Sequence, residues 1–423
     1  MKNLAVQIES SFPKDTVKLL RLAGRIGDKL GLNIYTVGGV VRDLLLGVQN
    51  LDIDLTVEGD GIEYAAHFAG VKGGKLVRHE RFGTATVYFK DGAHIDIASS
   101  RIERYPHPAS LPEVGAGAIR ADLSRRDFTI NALAVRLNPA QFGELVDLFD
   151  GENALRKGVL RVLHELSFED DPTRIFRAVR FCHRYKFRIE PRTRRLMKRA
   201  IDRRICDSLS GRRIRNEISL LLNEEDPPGV IKRMAHLDVL KCINKKIEFN
   251  TEKNMLLRRI KKTLPLPAKT TDWLVYFMGI VYGLRRRELK EISERLMLGR
   301  KEKEKILSIG DLQNICMELA GDNTPAHVYC TLKRVPDELL VMVIAVSNTR
   351  QMKRLILKYF ELRKTKINLN GNDLLNLGFK PGPDFNKILE EILYAKLNGL
   401  LKTKQDEMTY LADNFAGEKS KEG

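Results

Sequence analysis

The chain has 423 residues, 43% of them hydrophobic, and a formal net charge of +18; that length holds about three domains. Such a charge argues for a polyanionic partner, because clustered Lys and Arg bind phosphate backbones with release of counterions. No apolar run reaches the length of a membrane span, the start MKNLAVQIESSFPKD lacks the order of a signal peptide, and the single Trp273 supplies no interfacial anchor, so no membrane partner and a cytoplasmic location are expected.

Asp15 to Leu32 carries Val17, Leu20, Leu22, Ile26 and Leu30 at roughly helical spacing, which predicts a scaffold helix with Asp15 as its cap. The next stretch, YTVGGVVRDLLLGVQNLDIDLTV from Tyr35 to Val57, predicts a strand ending at Gly38-Gly39, a short helix with Arg42 and Asp43, a turn, and a second strand. Side chains alternate along a strand, so Asp52 and Asp54 are expected on one face and Leu51, Ile53, Leu55 and Val57 on the other. Two adjacent carboxylates repel, and a divalent cation with oxygen ligands, Mg²⁺ when phosphates complete its shell, would relieve them. The glycine pair lets backbone approach a polyphosphate at a helix start. Singly, each element also reads as a tight turn or a solvated strand face; it is the combination that points to nucleotide chemistry.

Gly61 to Ala69 predicts a helix, and Gly83 to Phe89 with Ala93 to Ala98 a hairpin turned by Asp91-Gly92. Asp96 on its second strand is either a solvated edge residue or a third carboxylate for metal holding and proton acceptance. Arg101 to Ala121, with three prolines, reads as a long mobile loop. It runs into Arg125-Arg126-Asp127-Phe128-Thr129-Ile130-Asn131, where the arginines suit phosphate oxygens and Asp127 and Asn131 could bind ribose hydroxyls.

After Asp150 the chain turns helical. Ser167 to Phe181 predicts a helix on which Asp171 and Arg174, three apart, share a face. A carboxylate beside a guanidinium matches the amino-bearing edges of cytosine and adenine and leaves charges unpaired against uracil or guanine; a plain surface ion pair is the other reading. From Arg174 to Arg215 there are sixteen Lys/Arg against three Asp/Glu, a surface for triphosphate or nucleic acid. Met234 to Val239, Trp273 to Tyr282 and Leu339 to Ala345 read as core, Ile367 to Asp384 as a turn between helices, and the final AGEKSKEG as a disordered end. The five cysteines offer no metal motif and no disulfide framework, so reduced thiols are expected.

Gly38-Gly39-Val40-Val41-Arg42-Asp43 with Asp52-Ile53-Asp54 resembles the signature of the DNA polymerase beta nucleotidyltransferase superfamily, more narrowly the class II branch of tRNA CCA-adding enzymes and bacterial poly(A) polymerases. The resemblance continues in the segment Arg125 to Leu133, in Asp170-Asp171-Pro172-Thr173-Arg174, in Ser210 to Ile218, and weakly near Gly378 to Asp384. It implies an α+β fold: a polymerase-beta-like α/β nucleotidyltransferase head (1–150) followed by an all-helical neck (151–225), body (226–348) and tail (349–423). It also implies catalytic and metal-holding Asp52, Asp54 and Asp96 with Mg²⁺ as cofactor, and nucleotide binding by Gly38, Gly39, Arg42, Arg125, Arg126, Asp127, Asn131, Asp171, Arg174, Arg177 and Arg180. The partners would be tRNA, CTP and ATP. Full CCA addition is the first expectation; A-only or CC-only addition, poly(A) synthesis and an RNA-binding protein with a vestigial site are the alternatives.

Overall fold

Helices α1 (Ala5–Ser11) and α2 (Lys14–Lys29) lead into β1 (Asn33–Val37), α3 (Gly39–Leu46) and β2 (Asp54–Glu58) in the computed structural model, which describes residues 2–80, 83–379 and 382–415. Asp15 does not cap α2: Pro13 stands there, and Asp15 lies in the first turn, paired with Lys18 at 3.0 Å. The turn from β1 into α3 needs Gly38 twice over. Its φ is +68°, and an added Cβ would lie 2.5 Å from an Arg126 guanidinium nitrogen.

Next come α4 (Gly61–Lys72), capped by the Asp60 carboxylate on the Ile62 and Glu63 amides, then β3 (Lys75–His79), β4 (Thr84–Tyr88) and β5 (His94–Ser99). The segment expected to be a loop instead holds a hairpin, β6 (Arg101–Arg104) with β7 (Glu113–Ala116), whose strands are too short to show a period in sequence. Then α5 (Ile119–Ser124), β8 (Leu133–Arg136) and β9 (Leu145–Asp147) complete a seven-stranded sheet of order β3-β4-β5-β2-β1-β8-β9. Strand β3 was not foreseen from the sequence.

One face of the sheet buries Leu55, Val57, Val87, Ile95 and Ile97 under α2 and α4, where the Tyr64 hydroxyl donates to the Ala23 carbonyl at 2.7 Å. Each such side chain is worth about 1.5–3 kcal/mol when fully buried. The opposite face carries Asp54, Thr56, Thr86 and Asp96, while α5 covers its β1–β8 end through Leu123 against Tyr35 and Val37. One apolar face thus anchors the sheet and leaves a polar face for chemistry.

The chain continues through α6 (Gly151–Arg156), α7 (Ser167–Asp170), α8 (Thr173–Arg184), α9 (Pro191–Asp202) and α10 (Gly211–Leu222). Met1–Glu217 and Arg233–Ile243 form one unit; Ile218–Lys232 and Asn244–Gly423 form a second. Contrary to the expectation of reduced thiols throughout, Cys206 and Cys242 of the first unit are joined as a disulfide, their Cα atoms 5.4 Å apart. Their separation of 36 residues resembles no motif, and only the return of Arg233–Ile243 to this unit brings them together.

In the second unit, helix Asp272–Val281 is buried on every side against helices Thr251–Thr263 and Asp337–Ser347, so Trp273–Val281 and Leu339–Ala345 are core. Toward the C-terminus, Leu369, Leu374, Ile388, Ile392 and Leu411 form a separate cluster. The turn expected from Ile367 contains a helix, Gly371–Asn376, capped by Asn370; the end AGEKSKEG lies outside the described residues. Among the described residues no helix is long and apolar enough to cross a membrane.

Candidate active site

Strands β2 and β5 pair in parallel with Asp54 opposite Asp96, which sets the two carboxylates side by side on the polar face. The Thr86 hydroxyl, from β4, donates to Asp96 at 2.5 Å. Asp52 does not share the strand. It precedes β2, exposed, with its amide bonded to the Asn50 side chain at 2.9 Å. It nonetheless acts on Asp54, whose carboxyl is pushed up to about 6 by desolvation first and by the charge of Asp52 next, with Asp96 adding and Arg126 opposing.

Asp54 lies where two cavities adjoin. One, about 420 Å³, runs over the sheet past Thr56, Thr86 and Asp96. The other, about 490 Å³, reaches from Gly38 and Gly39 to α8 and is lined by Arg42, Arg125, Arg126, Arg174, Arg177 and Arg213 together with Asp54, Glu103, Asp127 and Asp171. Six guanidiniums against four carboxylates suit a polyanion. Asp52 lines neither cavity, and Arg180 packs instead over the Phe181 ring, 4.0 Å from Glu217.

Five of these six arginines, all but Arg174, are held in place by a carboxylate. Asp122, 1% exposed, accepts from Arg125 at 2.6 and 3.0 Å and from Arg126 at 3.0 Å. Burial alone would raise the Asp122 carboxyl, but Arg126 and Arg125 hold it below the ordinary carboxylate value. Glu103, on the hairpin, takes Arg125 at 2.9 Å and the Tyr105 hydroxyl at 2.9 Å. Asp127 accepts from the Asn131 amide at 2.9 Å and from Arg177 at 2.7 Å, so despite burial it too lies below its ordinary value. Arg42 is buried and committed to both Asp43 oxygens and to the Asn131 side-chain amide oxygen at 2.7 Å. The rings of Phe181 and Tyr185 lie 5.3 and 4.8 Å from its guanidinium.

The base-reading pair is built differently from expectation. Asp171 is not helical: with φ −135° and ψ 93° it breaks the chain between α7 and α8, because the residue before a proline avoids the helical region. Arg174 is 4% exposed and donates to the Ser167 hydroxyl and to the Arg125 carbonyl, each at 2.7 Å. Asp171 pairs with Arg213 rather than with Arg174, at 2.8 Å. Asp122 and Glu103 were not singled out from sequence, and Arg213 entered only within the segment Ser210 to Ile218; Asp122, three and four residues before the arginines it holds, was the one with a local signal.

Among the described residues no three His, Cys, Asp or Glu side chains form a ready-made metal cage. The donor set still fits Mg²⁺, which is commonly held by one or two carboxylates with substrate phosphates completing the shell: Asp54 and Asp96 are paired in register, and the Asp54 carboxyl is raised by desolvation first and then by the neighbouring negative charges of Asp52 and Asp96.

Residues 34–161 match the Poly A polymerase head domain and residues 186–250 the probable RNA and SrmB-binding site of polymerase A. The A-adding tRNA nucleotidyltransferase of Geobacter sulfurreducens is 38% identical over 94% of this chain, which spans only 47% of that relative. The A-adding tRNA nucleotidyltransferase of Halalkalibacterium halodurans is 33% identical, over 98% of this chain and 96% of the relative. Among solved structures, the Thermotoga maritima CCA-adding enzyme complexed with tRNA superposes with a TM-score of 0.81 at 34% identity, over 97% of this chain and 98% of that one.

Proposed function

The chain belongs to the tRNA nucleotidyltransferase family, and on that premise we propose that it extends the 3′ end of tRNA from CTP and ATP to build the CCA terminus. The observation that carries the proposal is the placing of Asp54, in register with Asp96, at the junction of the arginine-lined cavity with the cavity over the sheet. In this reading the triphosphate occupies the arginine-lined side and the tRNA terminus the other. The terminal 3′-hydroxyl gives its proton to the Asp96 carboxylate and attacks the α-phosphate, a P–O bond forms, the α–β bridging bond breaks, and pyrophosphate leaves.

Asp54 and Asp96, with Asp52 nearby, would hold Mg²⁺, which when bound supplies charge neutralisation at the attacking and leaving oxygens. Arg125 and Arg126 orient the phosphates from their anchorage on Asp122, and the Gly38–Gly39 backbone allows close approach. Arg42 acts as a positioning residue, fixing Asn131 and through it Asp127 for the ribose. Arg177 secures Asp127, Arg180 stiffens α8 through Phe181, and Asp171 with Arg174 reads the amino-bearing base. The division into head (1–150), neck (151–225), body (226–348) and tail (349–423) belongs to the same proposal.

A second reading, addition of the terminal A alone, is favoured by the names of the Geobacter and Halalkalibacterium relatives. Labelled CTP and ATP, offered separately and together with Mg²⁺ to tRNA transcripts ending at the discriminator base, at C and at CC, decide between the two. Extension of all three establishes CCA addition. ATP incorporation on the CC-ended transcript alone establishes the second reading, and no incorporation on any overturns both.

A further inference from the structure

We propose that Asn50 is a positioning residue for Asp52: its side-chain amide ties the loop that carries this carboxylate to the buried Asp43, which Tyr185 at the end of α8 braces in turn. The inference rests on the reading of Asp52, Asp54 and Asp96 as the carboxylates that hold Mg²⁺.

Two of those carboxylates, Asp54 and Asp96, are set by the sheet, where β2 and β5 pair in register. Asp52 has no such support. It stands in the stretch between α3 and β2 with an exposed side chain. Packing does little to fix this stretch, since Val48 and Leu51 are 48% and 50% exposed. The approach of Asp52 to Asp54 therefore depends on the hydrogen bonds that hold the loop.

Asn50 supplies two of them, one from each end of its amide. Its side-chain oxygen accepts from the Asp52 amide at 2.9 Å, which shapes the loop locally. Its side-chain nitrogen donates to Asp43 Oδ2 at 2.8 Å, which fastens the loop to a residue of α3 that is 5% exposed. Only an amide offers both bonds: a carboxylate here would meet Asp43 with like charge, and an apolar side chain would serve neither partner. The same nitrogen lies 3.8 Å from where a Cβ on Gly39 would stand, so Asn50 sits between the glycine turn and Asp52.

Asp43 is suited to be the anchor because three further hydrogen bonds hold its carboxylate. Oδ1 accepts from Arg42 Nε at 2.8 Å and from the Tyr185 hydroxyl at 3.0 Å, and Oδ2 accepts from a terminal nitrogen of Arg42 at 2.9 Å. Tyr185 directly follows α8, the helix that carries Arg174 and Arg177. A hydrogen-bonded path thus runs from the end of that helix through Asp43 and Asn50 to the amide of Asp52. Groups placed behind metal ligands orient them and set much of the affinity for the ion, and Asn50 has that place here.

Loss of Asn50 should weaken metal binding more than nucleotide binding. The test compares wild type, Asn50→Ala and Asn50→Ser, whose hydroxyl can still accept from the Asp52 amide but falls short of Asp43, with Asp52→Ala as the reference. Mn²⁺ binding to the enzyme–ATP complex is followed by electron paramagnetic resonance, and incorporation into tRNA transcripts is titrated with Mg²⁺. We expect Mn²⁺ affinity to fall about tenfold or more in both Asn50 variants and the Mg²⁺ concentration for half-maximal incorporation to rise in step, while KM for ATP at saturating Mg²⁺ changes by less than about twofold. Unchanged metal affinity in both variants, whatever their melting temperature, would mean a structural role at most and overturn the proposal. Loss in the alanine variant alone would leave the local turn as the whole of its effect and overturn the anchor on Asp43. Should the alanine variant fail to fold, the serine variant is judged by the same two readouts. Wild type that transfers no nucleotide to tRNA sinks the reading of the site itself, and Asp52→Ala with wild-type metal affinity and incorporation sinks Asp52 as a metal holder and Asn50 with it. An inactive Asp52→Ala beside Asn50 variants of wild-type affinity sinks only the role of Asn50.

Discussion

Replacing Asp122 by Ala should destabilise the first unit by about 3 kcal/mol, toward the lower end of what is lost when one partner of a buried ion pair is removed. Asp122 is 1% exposed and binds two guanidiniums, so the substitution strands two cations rather than one. Two features moderate the loss. Arg125 retains Glu103 at 2.9 Å, and the side chains of Arg125 and Arg126 are 19% and 18% exposed, so water recovers part of their solvation. Arg126 keeps only a weak bond to the Asn131 carbonyl at 3.4 Å and should move most. For a domain of this size the loss corresponds to a Tm lower by about 6–12 °C, readable by circular dichroism. The double variant Asp122→Ala, Arg126→Leu should recover part of the stability, because removing both partners spares a stranded charge. The Asp122 carboxyl lies below its ordinary value in the fold, so its contribution is present above the unfolded carboxylate pKa and is lost as pH falls through the folded one. The gap between wild type and Asp122→Asn should accordingly close in acid. A loss under about 1 kcal/mol, or no recovery in the double variant, would refute the view that this carboxylate organises the arginines.

Incorporation at sub-saturating Mg²⁺ should rise with pH through about 6 as Asp54 ionises, and Asp52→Asn should shift that limb to lower pH by removing a neighbouring negative charge; an unmoved limb would dissociate Asp52 from the site. For stability the sign is opposite: the raised Asp54 carboxyl favours the fold at low pH, and that contribution is lost as pH rises through about 6. Gly38→Ala should raise KM for the nucleotide by about tenfold or more, since the positive φ and the 2.5 Å approach to Arg126 both oppose a methyl group; unchanged KM counts against a close phosphate approach there. Thiol titration of unreduced, denatured protein should find the three free cysteines Cys182, Cys316 and Cys330, and five after reduction; five without reductant would exclude the disulfide.

What could be read in advance was what is encoded locally. Gly38-Gly39 and the alternation through Leu55 to Val57 gave β1, α3 and β2, and Asp91-Gly92 gave the β4–β5 turn. The parallel pairing of Asp54 with Asp96 could be guessed only through resemblance, because strands 42 residues apart carry no mutual signal in a single sequence. Arg213 with Asp171 and Glu103 with Arg125 are long-range in the same way. The break at Asp171 is different: Pro172 announced it, and extending the helix back to Ser167 overlooked the constraint a proline places on the residue before it.

The first unit is not continuous along the chain, since Arg233–Ile243 returns to it after the excursion Ile218–Lys232. This orders events during synthesis. A ribosome adds about 5–20 residues per second and domains tend to fold as they emerge, yet here the sheet and the arginine-lined cavity can assemble while Met234, Val239 and Cys242 are still to come. For some seconds the nascent chain therefore carries the arginine-lined cavity before Met234, Val239 and Cys242 have been made, with Cys206 waiting for its partner. A fragment ending at Glu217 would lack Arg233–Ile243, and with it the partner of Cys206, permanently.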